Sequence, residues 1–406
     1  MTTTEQPPLV MPFSRPSVLQ VSPLFDQLRG DHPIVRVTTA AGDPAWLVLS
    51  YDECKQVYSD RRFAYFSHPD PENAPRLSEA LVHSAPMGNV DFEAETTRLR
   101  KLMAPSFTPR RIKLLNEWIQ QLTDQCLDDM EAAHDADPGA PVDFHKFVGY
   151  RLPVLVICAL LGVPEPDRDR VLALSDRMGS FYGGMDAFAA MQELEAYMGE
   201  LLPGKKETPG EDLLSDLVRA NEEDPTFFST RPLPAYAAGL VFPGHETTVV
   251  RMDFGLLYLL TNPAQRDWLV DDIDERVGPT VEEVLRLTSA HDYGLIRWAS
   301  EDIEIAGVTI GAGELVIIDD AAANRDPAVF DDPQAFNPQR EKNPHIAFGH
   351  GAHVCLGQSL ARTELRAVVA STFRRFPGIR LAVDVNDLSI DESRVGGGVH
   401  ELLVTW

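Results

Sequence analysis

Cys355 lies in the stretch Phe348-Gly349-His350-Gly351-Ala352-His353-Val354-Cys355-Leu356-Gly357, and no other segment restricts the fold as tightly. Glycines stand four residues before the cysteine and two after it, with a phenylalanine seven before and a histidine two before. A helix-like segment follows. Glycines so placed suit a tight, strained turn whose backbone can approach a flat ligand closely. Backbone N–H groups of the turn and of the helix start can point at the sulfur and lower the pKa of the thiol. A lone thiolate held in this way suits an axial ligand to haem iron, where its electron push favours O–O cleavage. The competing reading is a buried structural cysteine, the usual fate of an unpaired one.

The other cysteines, Cys54, Cys126 and Cys158, are widely spaced and form no C-x-x-C pair. That argues against a zinc site and against a disulfide framework. Cys126 and Cys158 fall in apolar helical stretches and read as inert core. The 406 residues are 44% hydrophobic and 24% charged, ordinary for a globular chain that buries a large core and a cofactor. No apolar run approaches the roughly 20 residues that span a bilayer. The longest, Leu152 to Val163, is interrupted by Pro153 and reads as a buried helix. Residues 1–16 are polar and proline-rich, without a signal-peptide core, so the chain reads as a cytoplasmic enzyme.

Thirty-six basic and 62 acidic residues give a net charge of −26, which repels nucleic acid and anionic membrane surfaces and excludes both as partners. One window reverses that sign. Residues 96–113 hold Arg98, Arg100, Lys101, Arg110, Arg111 and Lys113 with no acidic residue. The window marks either a site for an acidic partner or a solvated helix face.

Periodicity predicts a mainly α fold with small β-sheets. Residues 33–50 read as a hairpin, Ile34–Val37 and Trp46–Leu49, turning at Ala41-Gly42-Asp43-Pro44. Residues 97–290 and 356–376 read as helical, with loops at 135–141 and 204–210. Within them a long apolar helix runs from about Pro234 to Leu260, roughly 40 Å at 1.5 Å per residue. The β-rich parts fall at about 30–60, 292–320 and 379–406, the last around Gly396-Gly397-Gly398. Residues 320–354 have no regular period, and so long an irregular segment is usually functional. No linker divides the chain, so residues 1–406 read as a single domain.

Two further constellations carry chemistry. In Gly244-His245-Glu246-Thr247-Thr248, inside the long helix, a carboxylate sits beside a hydroxyl in apolar surroundings. Such a pair is costly unless water or a partner satisfies it, and it can hold a water and relay protons. The hydroxyl can equally bond back to the preceding turn and bend the helix. Pro243 lacks an N–H and should kink the helix and free the carbonyl of Gly239. In Glu283-Val284-Leu285-Arg286 two opposite charges three residues apart share a helix face, a pattern that surface ion pairs also produce.

The pattern F-x-x-G-x-H-x-C-x-G formed by Phe348, Gly351, His353, Cys355 and Gly357 resembles the haem-binding signature of the cytochrome P450 family at every position. The resemblance spans nearly the whole chain and implies a triangular, helix-rich prism enclosing heme b (iron protoporphyrin IX). It implies Cys355 as the thiolate ligand and His353, Arg297 and Arg100 as partners of the haem propionates. Where the family often places a histidine, four residues before Arg100, this chain has Thr96. Glu246 and Thr247 match the acid and the hydroxyl of the family's oxygen-binding segment, in which Ala or Gly is usual where Pro243 stands. Glu283 and Arg286 match its helix pair, which Arg340 completes. Substrate contacts carried over by position are Phe242, Gly239, Met87, Tyr182, Tyr293, Leu295 and Val395, and the segment 178–185 suits a mobile lid.

The implied activity is that of a soluble bacterial, actinomycete-like monooxygenase of secondary metabolism. It inserts one oxygen atom from O2 into an apolar polyketide, macrolide or terpenoid by hydroxylation or epoxidation. Ferredoxin and ferredoxin reductase supply electrons to a monomeric enzyme. A peroxide-driven peroxygenase and a non-catalytic haem sensor are the alternatives; the Glu246–Thr247 pair argues against the first.

Overall fold

Leu315-Val316-Ile317-Ile318 is an uninterrupted apolar run, the pattern of a strand covered on both faces. In the computed structural model, which describes residues 9–65, 67–80, 92–180, 182–228, 231–289 and 294–406, it is the central strand of a five-stranded sheet. The chain forms two compact units, and elements are numbered along it.

The first unit comprises Met1–Thr96, His291–Ala335 and Asn343–Cys355. Its sheet contains β1 (Ile34–Thr38), β2 (Pro44–Val48), β3 (Phe63–Ala64), β5 (Leu295–Ala299) and β8 (Leu315–Ile318), in the order β1-β2-β8-β5-β3. β2 and β8 are parallel and the other pairs antiparallel. Val316 and Ile318 join a core with Ile34, Val48 and Ala299, while Leu315 and Ile317 join one with Leu47, Ile296 and Trp298. Alternation along β8 thus feeds two cores, one on each face. β6 (Ile303–Ile305) and β7 (Val308–Ile310) form a separate hairpin. Helices α1 (Leu24–Asp31), α2 (Tyr51–Ser59) and α12 (Asp320–Ala323) complete the unit.

The second unit comprises Thr97–Ala290, Phe336–Lys342 and Leu356–Trp406, and α3 (Phe92–Met103) enters it from the first. It is built from α4 (Pro109–Ala136), α5 (Arg151–Leu161), α6 (Arg168–Met178), α7 (Gly184–Glu207), α8 (Leu213–Glu223), α9 (Leu233–Thr261), α10 (Pro263–Asp271), α11 (Ile273–Leu287) and α13 (Gln358–Arg375). α9 is apolar on nearly every side because α5, α7, α11 and α13 all pack on it. β4 (Val142–Asp143), β9 (Arg380–Leu381) and β10 (Leu403–Thr405) form a small sheet in the order β4-β10-β9.

Three boundaries differ from the sequence reading. Residues 51–59, placed in a β-rich part, form α2, whose buried Tyr51, Cys54, Val57 and Tyr58 follow helical spacing. The loop expected at 204–210 begins later, because α7 continues through Pro203 and Gly204 to Glu207. Irregular residues 320–354 contain α12, capped by Asp319, whose carboxylate accepts from the amide of Ala322 at 2.8 Å.

Candidate active site

In the first unit, Gly349 and Gly351 adopt left-handed backbone conformations, with φ of 70° and 73°. A β-carbon on Gly351 would lie 2.9 Å from the carbonyl oxygen of Tyr58 and 3.2 Å from the Cα of Ser59, so only glycine lets this loop pack on the end of α2. The Cys355 amide donates to the Phe348 carbonyl at 2.8 Å and closes the loop. Cys355 is exposed, whereas Cys54, Cys126 and Cys158 are buried. Burial pushes the Cys126 and Cys158 thiols up to about 12 and the Cys54 thiol well above its ordinary value. These three cannot supply a thiolate near neutral pH.

A cationic patch belongs to the same unit. Arg297 on β5 is 3% exposed, and its guanidinium lies 4.3 Å from the ring centre of Tyr65 and 5.6 Å from that of Tyr58. The ring of His353 stacks on Tyr65 at 6.0 Å. Tyr58 donates its hydroxyl to Asp320 at 2.6 Å, and burial with that neighbouring carboxylate holds the phenol well above its ordinary pKa. A thiol, an imidazole and a guanidinium are thus carried by one unit. That donor set fits a haem: sulfur for the iron, cations for the propionates. Arg100 and Thr96 lie on α3, and Gly357 is the N-cap of α13 in the second unit.

On α9 the motif residues divide their tasks. A β-carbon on Gly244 would meet Ile157 at 3.0 Å, so this glycine lets α5 approach. His245 is fully buried: its Nε2 donates to the Tyr150 carbonyl at 2.9 Å and its Nδ1 accepts from the Ser175 hydroxyl at 2.9 Å. Burial lowers its pKa to about 4, so it stays neutral. Thr247 is exposed and donates its hydroxyl to the Pro243 carbonyl at 2.9 Å, while Thr248 bonds back to Gly244 at 3.3 Å. α9 runs as helix through Pro243 from Leu233 to Thr261.

Glu246 turns to an ion pair with Arg394. Arg394 Nε donates to one carboxylate oxygen at 3.4 Å and Nη2 to the other, while Nη1 donates to Asp176 at 2.7 Å. Tyr150 donates its hydroxyl to the same Asp176 oxygen at 2.7 Å. Burial pushes the Glu246 carboxyl above its ordinary range, and the Arg394 charge pulls against that rise. Two helical turns further on, the fully buried Asp253 bonds His145 Nδ1 at 2.7 Å. A β-carbon on Gly149 would overlap the Asp253 carboxylate.

The third cluster is closed. Arg286 grips Glu283 with two hydrogen bonds of 2.8 Å, and Arg340 Nε and the Asn337 amide both donate to Glu283 Oε1, at 3.0 and 2.8 Å. Both α11 side chains are wholly buried. The irregular segment 336–342 is thereby pinned to α11.

Of the substrate candidates, Tyr182 is 77% exposed and Leu295 43% exposed, whereas Val395 is buried and Phe242 half-buried. Gly239 faces the Arg231 guanidinium. Met87 and Tyr293 lie outside the described residues. In the basic window, Arg98 pairs with Asp224 at 2.7 Å and Arg111 with Glu211 at 3.7 Å, so two of its charges are answered within the fold. Sequence reasoning missed Arg394, Asp176, Tyr150 and Tyr65. Each acts across a long sequence separation, although Arg394 stood beside the marked glycine turn and Asp176 just before the marked segment 178–185.

Comparison with known proteins agrees with these motifs. The profile of the Cytochrome P450 family matches residues 185–379. Pentalenolactone synthase of Streptomyces exfoliatus is 37% identical over 404 residues, covering 98% of each chain. Nocardicin C N-oxygenase of Nocardia uniformis subsp. tsuyamanensis is 38% identical over 398 residues, covering 97% of this chain and 98% of the other. The crystal structure of SgvP, a putative thioether synthase of griseoviridin tailoring, superposes with a TM-score of 0.88 at 34% identity, covering 99% of this chain and 100% of the other.

Proposed function

The chain belongs to the cytochrome P450 family and is a haem monooxygenase, and on that premise we propose that Cys355 is the thiolate ligand of a b-type haem. The enzyme uses O2, a small-molecule substrate and redox partners. We place its substrate among apolar secondary metabolites of the polyketide, macrolide or terpenoid kind, hydroxylated or epoxidised. The observation that carries the Cys355 assignment is the exposed cysteine on a loop that glycine alone can form, in one unit with the Arg297–Tyr65–His353 stack.

The haem, when bound, supplies the oxygen activation that no side chain provides. Cys355 contributes sulfur charge to the metal, and Arg297, His353 and Arg100 answer the propionate charges. Phe348, Gly351 and Gly357 shape the loop and the start of the following helix. Glu246 stores and passes protons. Thr247 spends its own proton on the Pro243 carbonyl, so its oxygen is left as an acceptor that orients a water. No side chain attacks the substrate covalently. Glu283, Arg286 and Arg340 hold the segment 336–342 in place. Phe242, Gly239, Tyr182, Leu295 and Val395 are the described residues we assign to substrate contact.

Electrons come, on this reading, from a ferredoxin and its reductase, drawn to the basic window around Lys113, and the enzyme is a cytoplasmic monomer. No described helix is long and apolar enough to cross a membrane. The test is the spectrum of the reduced carbon monoxide complex. Wild type, Cys126→Ala and Cys158→Ala show the red-shifted Soret band of thiolate ligation, and Cys355→His loses it. A normal band in Cys355→His refutes the assignment.

A further inference from the structure

The glycines of α9 face different neighbours. A β-carbon on Gly244 would meet Ile157 of α5 at 3.0 Å, and one on Gly255 would meet Val284 of α11 at 3.3 Å, so both bring helices together. The three atoms nearest to a β-carbon on Gly239 would instead all belong to the Arg231 guanidinium, at 3.6, 3.7 and 3.9 Å. Arg231 stands just before α9, and its side chain reaches along the helix to Gly239. It also lies over the Tyr236 ring, with Cζ 5.5 Å from the ring centre. An aromatic ring and a bare stretch of backbone thus form a shelf for one cation.

That shelf belongs to the open face of an otherwise buried helix. Tyr236, Gly239, Pro243 and Thr247 follow one another at steps of three and four residues, which puts them on one side of α9. Pro243 and Thr247 are exposed, and Tyr236, Gly239 and Leu240 are half-buried, whereas Ala237, Ala238, Val241 and His245 are buried. An open strip therefore runs from Thr247 back to the guanidinium. At 1.5 Å per residue, Gly239 lies about 6 Å from Pro243 and about 12 Å from Thr247 along the axis.

A wholly apolar substrate lying in this strip would strip water from the guanidinium and return nothing for it, which costs free energy. An anionic substrate meets the opposite difficulty elsewhere, because a net charge of −26 repels it over the surface at large. A cation at one end of the strip resolves both. A guanidinium takes a carboxylate through two parallel hydrogen bonds, which fixes the orientation of the acid as well as its affinity.

We propose that the substrate carries a carboxylate, that Arg231 is the specificity-determining residue that binds it, and that the carbon to be oxidised lies beside Thr247, on the order of 10 Å from the acid group. This rests on reading Gly239 and Thr247 as part of the substrate and oxygen site, and it adds an acid end to the apolar body assigned above. The carboxylate sets the register of the substrate along α9, so it selects which carbon reaches Thr247.

The test titrates the resting holoenzyme calorimetrically with decanoate, dodecanoate and dehydroabietate, each beside its methyl ester of nearly the same shape. Wild type prefers the acid in at least one pair, by about tenfold or more. Arg231→Gln weakens that acid about 10- to 100-fold and leaves its ester within about twofold, so the preference disappears. Arg231→Lys keeps the charge but not the fork and recovers part of the loss. Tyr236→Leu serves if the glutamine variant does not fold: it weakens the acid about two- to fivefold and spares the ester. Leu240→Trp fills the strip and weakens acid and ester alike. Esters bound by wild type as tightly as acids, no binding of any acid, or an acid preference that survives Arg231→Gln overturns the carboxylate assignment. Acid and ester both indifferent to Leu240→Trp would show instead that the strip is not the substrate site, which overturns the inference together with the reading beneath it.

Discussion

Two buried glutamates of this protein are held by arginine, and they are held differently. Glu283 receives hydrogen bonds from Arg286, Arg340 and the Asn337 amide, and neither it nor Arg286 has any exposure. Among the described residues Glu246 is held by Arg394 alone, and that arginine reaches on to a half-exposed aspartate. The first cluster is nearly shut off from water, with only Arg340 slightly exposed, whereas the second reaches water through Asp176. Closed clusters fix a chain segment, whereas an open one can exchange partners and protons. The contrast separates an enclosed ion pair from one that reaches solvent, without appeal to the motifs in which either lies.

Removing the closed cluster should produce the largest effect. Glu283→Gln leaves Arg286 and Arg340 uncompensated in the interior, and breaking such a buried set costs about 3–5 kcal/mol. Denaturant unfolding measures it, and haem retention should fall with it, since segment 336–342 loses its anchor. Equal stability in Glu283→Gln and wild type would erase the distinction drawn above.

Thr247→Ala should act on chemistry instead. Its hydroxyl bonds a helix carbonyl, so unfolding changes by less than about 1 kcal/mol. Product formed per electron pair should drop severalfold to about a hundredfold, at the lower end of what general acid assistance contributes. Reducing equivalents then appear as hydrogen peroxide. Unchanged coupling would assign Thr247 to helix shape alone.

A third buried glutamate sharpens the scale between these extremes. Glu364 on α13 is 2% exposed, its Oε2 has no hydrogen-bond partner among the described residues, and burial raises its carboxyl well above the ordinary value. Its folded pKa exceeds its unfolded one. The stability it contributes is therefore complete below the unfolded pKa of about 4.3 and is lost as pH rises toward the folded pKa. Wild type should lose stability as pH rises from the unfolded pKa toward the raised folded one, by roughly 1.4 kcal/mol for each pH unit crossed between them. Glu364→Gln should flatten that slope and unfold later at pH 8. A wild-type slope retained in the variant would remove Glu364 from the account.

The smallest effect concerns the partner face. Lys113 is exposed, while Arg98 and Arg111 are engaged by Asp224 and Glu211. Lys113→Glu should slow reduction by ferredoxin by a few-fold at low salt and less at physiological salt, where charges are screened within about 8 Å. Arg98→Glu would also break the Asp224 pair, so it is the poorer probe. Reduction rates indifferent to Lys113→Glu and to salt would count against the face.

What could be read in advance follows from distance along the chain. The Cys355 loop was legible because its glycines and its cysteine lie within one turn, where spacing dictates backbone shape. Glu283 and Arg286 were legible as an i, i+3 pair, whereas Arg340 came only from the family resemblance, since the irregular segment also holds Arg325 and Lys342; burial was not legible, because it depends on helices elsewhere in the second unit. The partner of Glu246 was hidden. Arg394 lies near the other end of the chain beside a glycine turn, and nothing in its local sequence separates it from a surface arginine. Tyr65, the ring beneath Arg297 and His353, is likewise one aromatic among many. α2 was hidden for a different reason: nine residues with charges interspersed give too little periodicity to stand out beside a clear hairpin.

The most direct measurement pairs Glu246→Gln with Glu283→Gln in one series, recording unfolding free energy and oxygen-dependent turnover for each. The open cluster predicts that Glu246→Gln unfolds within about 2 kcal/mol of wild type, because Asp176 still answers Arg394. Its turnover should slow on the order of 10²-fold, the loss expected of a missing proton carrier. A Glu246→Gln protein that turns over at the wild-type rate, yet is as unstable as Glu283→Gln, would show that both clusters merely hold the fold and would contradict the account.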